Sequence, residues 1–221
     1  MMNYEQQGDV ALLHFDDGKV NSVGTDFIAN MNAGLDRAEA EARAVLILGR
    51  EGKFSAGFDL SEFKKGPEAT RELVTAGARM MLRLFTHPQP LVAACSGHAI
   101  AAGGFMLLCA DTRVGIEGEF KLGLNETAIG MVIPPFGIEL ATARLSKRHL
   151  QAATVQGQLF DPQQAQDVGF LDAVVTADQL REHCLALAAQ LAQLPGEAYA
   201  GNKRAMRRPY IERMEASLSG D

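Results

Sequence analysis

The chain has 221 residues, 47% hydrophobic and 22% charged, which is enough for one well-filled core or a core with a small appendage. A net charge of -6, with no basic cluster before Lys203, Arg204, Arg207 and Arg208, argues against a nucleic-acid surface. No apolar run approaches the roughly 20 residues of a spanning helix, and the opening MMNYEQQGD has no signal region, so a cytoplasmic protein without a membrane partner is expected.

In chain order, residues 9–15 end in an alternating apolar stretch followed by Asp16-Asp17-Gly18, which predicts a first strand and a turn. Thr25 is the expected N-cap of a helix carrying Phe27, Ile28, Met31 and Leu35 at helical spacing, and Ala44–Leu48 reads as a short buried strand. Residues 49–57 read as a loop, 60–63 as a turn of helix, and 67–85 as a long amphipathic helix stopped by Pro88 and Pro90. Leu91–Cys95 is another short apolar strand. The Gly- and Ala-rich segment 97–104 leads into a buried helix around 105–110, and Thr112–Ile116 is a further strand. Beyond residue 135 the pattern is mostly helical: 136–145, 147–155, 161–168 with Asp161 as N-cap and Pro162 at N1, and 178–194, with Ala173–Val175 a lone strand among them. Strands alternating with helices predict an α/β fold with a largely parallel sheet over 1–135 and a helical portion over 136–221.

Three segments carry candidate chemistry. In FKLGLNETAIGMVIPP, residues 120–135, Glu126 sits among Leu122, Leu124, Ile129, Met131, Val132 and Ile133. Apolar surroundings disfavour the charged carboxylate and raise its pKa, which suits a proton shuttle; the alternative is a helix-capping or solvated Glu. In FSAGFDL, residues 54–60, Gly57 can take a positive φ and free the Phe58 amide to point outward; the alternative is an ordinary turn. In GHAIAAGG, residues 97–104, a strand feeds a helix whose first amides and dipole favour a negative oxygen; the alternative is close helix packing through small residues.

Other chemistries lack their patterns. Ser96 and His98 lie outside any G-x-S-x-G elbow, and His14, His87, His149 and His183 show no paired metal spacing. No Rossmann or Walker glycine pattern occurs. Cys95, Cys109 and Cys184 are odd in number, form no Cys-x-x-Cys pair, and read as reduced packing residues.

FSAGFDL, GHAIAAGGFMLLCADTRVG and GLNETAIG, in this order and spacing, resemble the enoyl-CoA hydratase/isomerase (crotonase) superfamily, with similarity running from about Val10 to Leu194. GLNET is most similar to the Δ3,Δ2-enoyl-CoA isomerases of that superfamily. The resemblance implies a crotonase-like fold of repeated ββα-type units, oxyanion amides at Phe58 and Ala102, with Gly103 the neighbouring candidate, and Glu126 as the acid/base. It also implies substrate-lining positions at Ser55, Ala56, Gly57, Asp59, Leu60, Phe105, Met131 and Pro134, with pocket walls from Phe58, Phe63, Met81 and Phe136. Hydratases of the superfamily carry a second glutamate in the helix after the second oxyanion loop, where this chain has Phe105. A single-carboxylate shift of a double bond from 3-enoyl-CoA to trans-2-enoyl-CoA is therefore the expected reaction, within fatty-acid β-oxidation. The alternatives are a hydratase or thioester hydrolase using Glu126 alone, or a non-catalytic acyl-CoA binder. Coenzyme A enters as part of the acyl-CoA thioester substrate, with no metal or other cofactor expected, and the resemblance implies a homotrimer or a dimer of trimers. For Lys203, Arg204, Arg207 and Arg208 two readings stand, contact with CoA phosphates or a solvated helix face.

Overall fold

A strand-strand-helix rhythm sends alternate strands into two sheets in the computed structural model, which describes residues 2–219. The outermost ends of the two segments expected from sequence, residue 1 and residues 220–221, lie outside the described residues. The opening strands β1 (Met2–Gln7) and β2 (Val10–Phe15) pair antiparallel and lead to α1 (Thr25–Glu41). The first full repeat is β3 (Ala44–Leu48), β4 (Gly52–Ser55), α2 (Leu60–Phe63) and α3 (Pro67–Thr86). The second is β5 (Leu91–Cys95), β6 (Gly97–Ile100) and α4 (Ala102–Cys109); the third is β7 (Thr112–Ile116) and β8 (Leu122–Gly123), a 3-10 turn at Thr127–Ile129 and α5 (Pro135–Arg144). There follow α6 (Leu150–Thr154), β9 (Leu159–Phe160), α7 (Pro162–Val168), β10 (Ala173–Val175), α8 (Leu180–Leu191) and α9 (Gly196–Ser219).

The first strand of each repeat joins a six-stranded sheet of order β1-β2-β3-β5-β7-β10, parallel from β2 onward. The second strand joins a four-stranded sheet of order β4-β6-β8-β9, in which β4, β6 and β8 are parallel. The large sheet is covered on both faces, which is why AVLIL and LVAAC are apolar throughout rather than alternating. Val45 and Ile47 enter the main core, whereas Ala44, Leu46 and Leu48 meet Leu180, Cys184 and Ala188 of α8. The helix α4, AGGFMLLC, is buried at every position, as an all-apolar helix must be.

Several local expectations change. The strand at Val10–Phe15 is the second, because the polar MNYEQQ segment forms an edge strand against it. The loop expected at 49–57 contains β4, and the Gly-rich segment at 97–100 is β6; each is recruited by parallel pairing with the other, from more than forty residues away. Thr25 is not the N-cap of α1. Gly24 holds that position, and the missing cap is supplied by the Glu62 carboxylate, which accepts from the Thr25 amide at 2.8 Å and its hydroxyl at 2.7 Å. Asp161 does cap α7, with Gln164 completing a reciprocal capping box. The strand expected at Ala173–Val175 among the C-terminal helices is present, and it pairs as the parallel edge partner of β7.

The basic cluster near the C-terminus divides between interior and surface. Arg204 and Arg208 are exposed, while Lys203 and Arg207 are buried. Lys203 Nζ donates to the carbonyl oxygens of His87 and Gln89 at 2.7 and 2.8 Å, just past the end of α3. Arg207 donates to the carbonyl oxygens of Phe85 and Cys109 at 2.6 and 3.3 Å, at the ends of α3 and α4. Both cations also hold Asp111. Helix C-termini present unpaired carbonyls and a partial negative charge, so cations from α9 stabilise these ends and tie α9 to the core. Neither the phosphate reading nor the solvated-face reading describes these two residues.

Candidate active site

Because β4, β6 and β8 are adjacent and parallel, the segments that leave them emerge at one edge of the small sheet. These are 56–59, 101–102 and 124–126. Register brings Ser55 beside Ala99 and Ile100 beside Gly123, so the three candidate segments of the sequence become neighbours.

Gly57 takes φ +99°, in the region where a Cβ is strongly disfavoured. A Cβ there would lie 3.0 Å from Ala101 Cβ, 3.2 Å from the Ile100 carbonyl oxygen and 3.4 Å from the Ala102 nitrogen, so the first two segments touch at their amide-bearing residues. The Gly57 carbonyl accepts from the Val23 amide at 2.8 Å, and the Asp59 amide donates to the Val23 carbonyl at 3.1 Å. In a trans peptide C=O and N–H point in opposite directions, so anchoring the Gly57 carbonyl on Val23 turns the Phe58 N–H away from it. Among the described residues the Phe58 amide donates no hydrogen bond.

The second segment reaches the same result through strain at an unexpected residue. Ala101 adopts φ 53° and ψ -120°, an unfavourable conformation for a residue with a Cβ. It is held there by its amide, which donates to the Gly123 carbonyl at 2.9 Å, and by its carbonyl, which accepts from Phe105 at 3.0 Å. Ala102 is then the first residue of α4, where the helix offers no internal acceptor, and its amide likewise makes no hydrogen bond among the described residues. Gly103 and Gly104 serve packing: a Cβ on Gly103 would lie 2.4 Å from the Ser55 carbonyl oxygen, and one on Gly104 would lie 3.0 Å from that of Gly123. The segment therefore combines both readings of the sequence, open amide at Ala102 and close approach at the glycines.

Glu126 is 5% exposed, and its Oε2 is buried with no hydrogen-bond partner among the described residues. Burial raises its pKa above the usual carboxylate range, with its own backbone amide as a smaller opposing influence. Its backbone is fixed where its side chain is free: the carbonyl accepts from Ile129 at 3.1 Å and from Met131 at 2.9 Å, closing the turn at Thr127–Ile129. Behind that turn, Thr127 Oγ1 donates to the Thr154 carbonyl at 3.2 Å. An unpaired buried carboxylate is costly to fold around, which makes it a functional candidate rather than a structural one.

The remaining expected residues divide by placement. Phe105 is 1% exposed and packs edge-on against Phe136 at 5.4 Å between ring centroids, and Gly137 makes room for its ring. The Phe58 ring stacks over Gly77 of α3 and lies 6.1 Å from Phe63. Met81 is fully buried, whereas Met131 is partly exposed and Pro134 half-buried. Ala56 and Leu60 are exposed, and Asp59 accepts from the Ser61 amide as the N-cap of α2. Ser55 is fully buried with its hydroxyl engaged inside the loop, so it supports this segment from behind. Sequence reasoning missed Ala101, whose apolar side chain gives no sign of a positive φ, and Asn21. Asn tolerates that conformation, which was the available signal.

A family model described as "Enoyl-CoA hydratase/isomerase" matches residues 5–221. The crystal structure of an enoyl-CoA hydratase/isomerase family protein from Pseudomonas syringae superimposes with a TM-score of 0.97 at 39% identity, covering 100% of this chain and 96% of that one. The human mitochondrial enoyl-CoA delta isomerase 1 is 29% identical over 217 residues, 96% of this chain and 72% of the relative. A putative enoyl-CoA hydratase from Thermus thermophilus is 28% identical over 195 residues, 85% and 76% of the two chains.

Proposed function

Since the chain belongs to the enoyl-CoA hydratase/isomerase family, we propose that it shifts the double bond of a 3-enoyl-CoA to the trans-2 position, in fatty-acid β-oxidation, with Glu126 as the sole proton shuttle. The observation that carries this reading is an unpaired buried carboxylate: Glu126 Oε2 has no hydrogen-bond partner among the described residues, and α4 offers no second acid, its position 105 being a buried phenylalanine. Addition of water is eased by two carboxylates that hold and deprotonate it; a double-bond shift needs one.

In the proposed cycle, Glu126 as carboxylate removes a C2 proton, and the electron pair delocalises into a dienolate with its charge on the thioester oxygen. The Phe58 and Ala102 amides stabilise that oxygen. Glu126, now protonated, returns the proton at C4, giving the conjugated 2-enoyl thioester and restoring the carboxylate. One such donor is worth roughly 3 kcal/mol of barrier. The raised pKa of Glu126 fits the task, because burial makes the carboxylate a stronger base toward the C2 proton than a solvated one. Phe105, packed against Phe136, removes space in which a water would be held.

The deciding experiment incubates the protein separately with 3-enoyl-CoA and 2-enoyl-CoA, following conjugation, hydration and free thiol. Conjugation of the 3-enoyl ester without hydration of the 2-enoyl ester is expected. Dominant hydration or thiol release would replace the isomerase reading with a hydratase or hydrolase, and no turnover of either ester would leave a binder.

A further inference from the structure

Asn21 is buried to 1% exposure, polar, and held at φ 53°, a combination with two unfavourable components that its surroundings must offset. They do so in one direction. Its Nδ2 donates to the carbonyl oxygens of Phe15, Lys53 and Phe54 at 3.1, 3.1 and 3.2 Å, two hydrogens shared among three acceptors, and its Oδ1 accepts from the Asp17 amide at 3.0 Å. These bonds clamp the 15–22 segment onto strand β4 at Lys53 and Phe54. Its own carbonyl accepts from Ser55 Oγ at 2.7 Å, and Ser55 Oγ in turn accepts from the Gly57 amide at 3.2 Å.

This relay ends one peptide short of the Phe58 amide. The Ser55 hydroxyl fixes the peptide plane that enters Gly57, and the Val23 amide fixes the plane that leaves it. With both planes fixed, φ and ψ of Gly57 are set and the Phe58 N–H has one direction left. We infer that Asn21 and Ser55 are positioning residues for the oxyanion amide of Phe58, acting through Gly57 without touching substrate. The inference rests on the reading above that this amide meets the thioester oxygen.

The test uses Ser55→Ala, which deletes the hydroxyl, and Asn21→Gly, which tolerates the positive φ while deleting the side-chain clamp. Each is expected to lower kcat on 3-enoyl-CoA by about 10- to 100-fold, since a misplacement near 1 Å can cost up to about 100-fold. The Kd for a saturated acyl-CoA should stay within about 2-fold, because the amide acts mainly on charge that develops in the transition state. Variants that lose only thermal stability, with kcat per folded molecule unchanged, would overturn the inference. Amide hydrogen exchange on the wild-type protein provides an arm that needs no variant and no turnover. The Gly57 amide should be protected with or without the saturated acyl-CoA, and the Phe58 amide should exchange freely until that ester is added. A freely exchanging Gly57 amide overturns the relay even where isomerisation is observed. Wild-type protein that shows this exchange pattern but no isomerisation would keep the relay and defeat the assigned reaction.

Discussion

Asp111 and Glu126 are both carboxylates withdrawn from water, one at the junction of α9 with the core and one beyond the end of β8, and their surroundings are opposite. Asp111, with its side chain 9% exposed, accepts from Lys203 Nζ at 2.6 Å, Arg207 at 2.8 Å, the Leu91 amide at 2.8 Å and the Tyr199 hydroxyl at 3.0 Å. Glu126 has a buried oxygen with no donor to accept from among the described residues. The first arrangement uses the carboxylate to tie α9 to the start of β5 and to the turn that follows α4. The second leaves a carboxylate whose charge is destabilised, a cost to the fold that becomes useful when a proton must be taken and returned.

The largest expected effect tests the chemical side of this contrast. Glu126→Gln should lower kcat on 3-enoyl-CoA by about 100- to 10,000-fold, the range that a positioned general base contributes, with acyl-CoA binding by calorimetry nearly unchanged. Retained turnover would remove Glu126 from the mechanism. On the structural side, Asp111→Ala should cost about 3–5 kcal/mol in denaturant unfolding, because it leaves the buried Lys203 and Arg207 charges uncompensated. A loss below about 1 kcal/mol would mean that the helix-terminal carbonyls hold those cations without it.

A smaller effect is expected one segment away. Gly57→Ala forces a Cβ into φ +99° and within 3.0 Å of Ala101 Cβ, so the Phe58 amide must turn. The expected drop in kcat is about 100- to 1,000-fold, that of one lost oxyanion donor, with little change in ground-state binding. A folded variant with unchanged kcat would reduce the segment to a structural turn.

The smallest effect sharpens the comparison through pH. Burial raises the pKa of Glu126 in the folded protein, so between the unfolded and folded values the native state binds more protons than the unfolded state. Stability from this group is therefore present below the unfolded value and lost as pH rises through the folded one. Glu126→Gln cannot ionise and should melt above the wild-type protein at neutral and alkaline pH, the gap closing toward acid. Thermal melts of both proteins across that window check the sign, and a gap that widens in acid would contradict the assigned burial. The acid limb of kcat/KM should follow the same raised pKa, since only the carboxylate can take the C2 proton.

Much of the architecture is legible from one-dimensional pattern because its causes are local. The uniformly apolar AVLIL and LVAAC announce strands covered on both faces, and the Asp161-Pro162 pair starts α7. The apolar run around Glu126 is only half a guide, since Leu122, Leu124 and Ile133 are buried while Ile129, Met131 and Val132 are exposed. The positive φ at Gly57 follows from the residue type that alone accepts it readily. What the sequence could not decide is set by partners far along the chain. β8 and β9 are two residues each and exist only through pairing, and β1 is a polar edge that needs β2 beside it. Ala101 is forced to φ 53° by the Gly123 carbonyl, and Asn21 by the β4 carbonyls it clamps. Lys203 and Arg207 look like surface cations by composition, and they are interior because two helix ends lie beneath α9. A residue's own chemistry fixes which conformations and partners are affordable to it. Which of them it adopts depends on hydrogen-bond donors and acceptors that only the folded chain brings within reach.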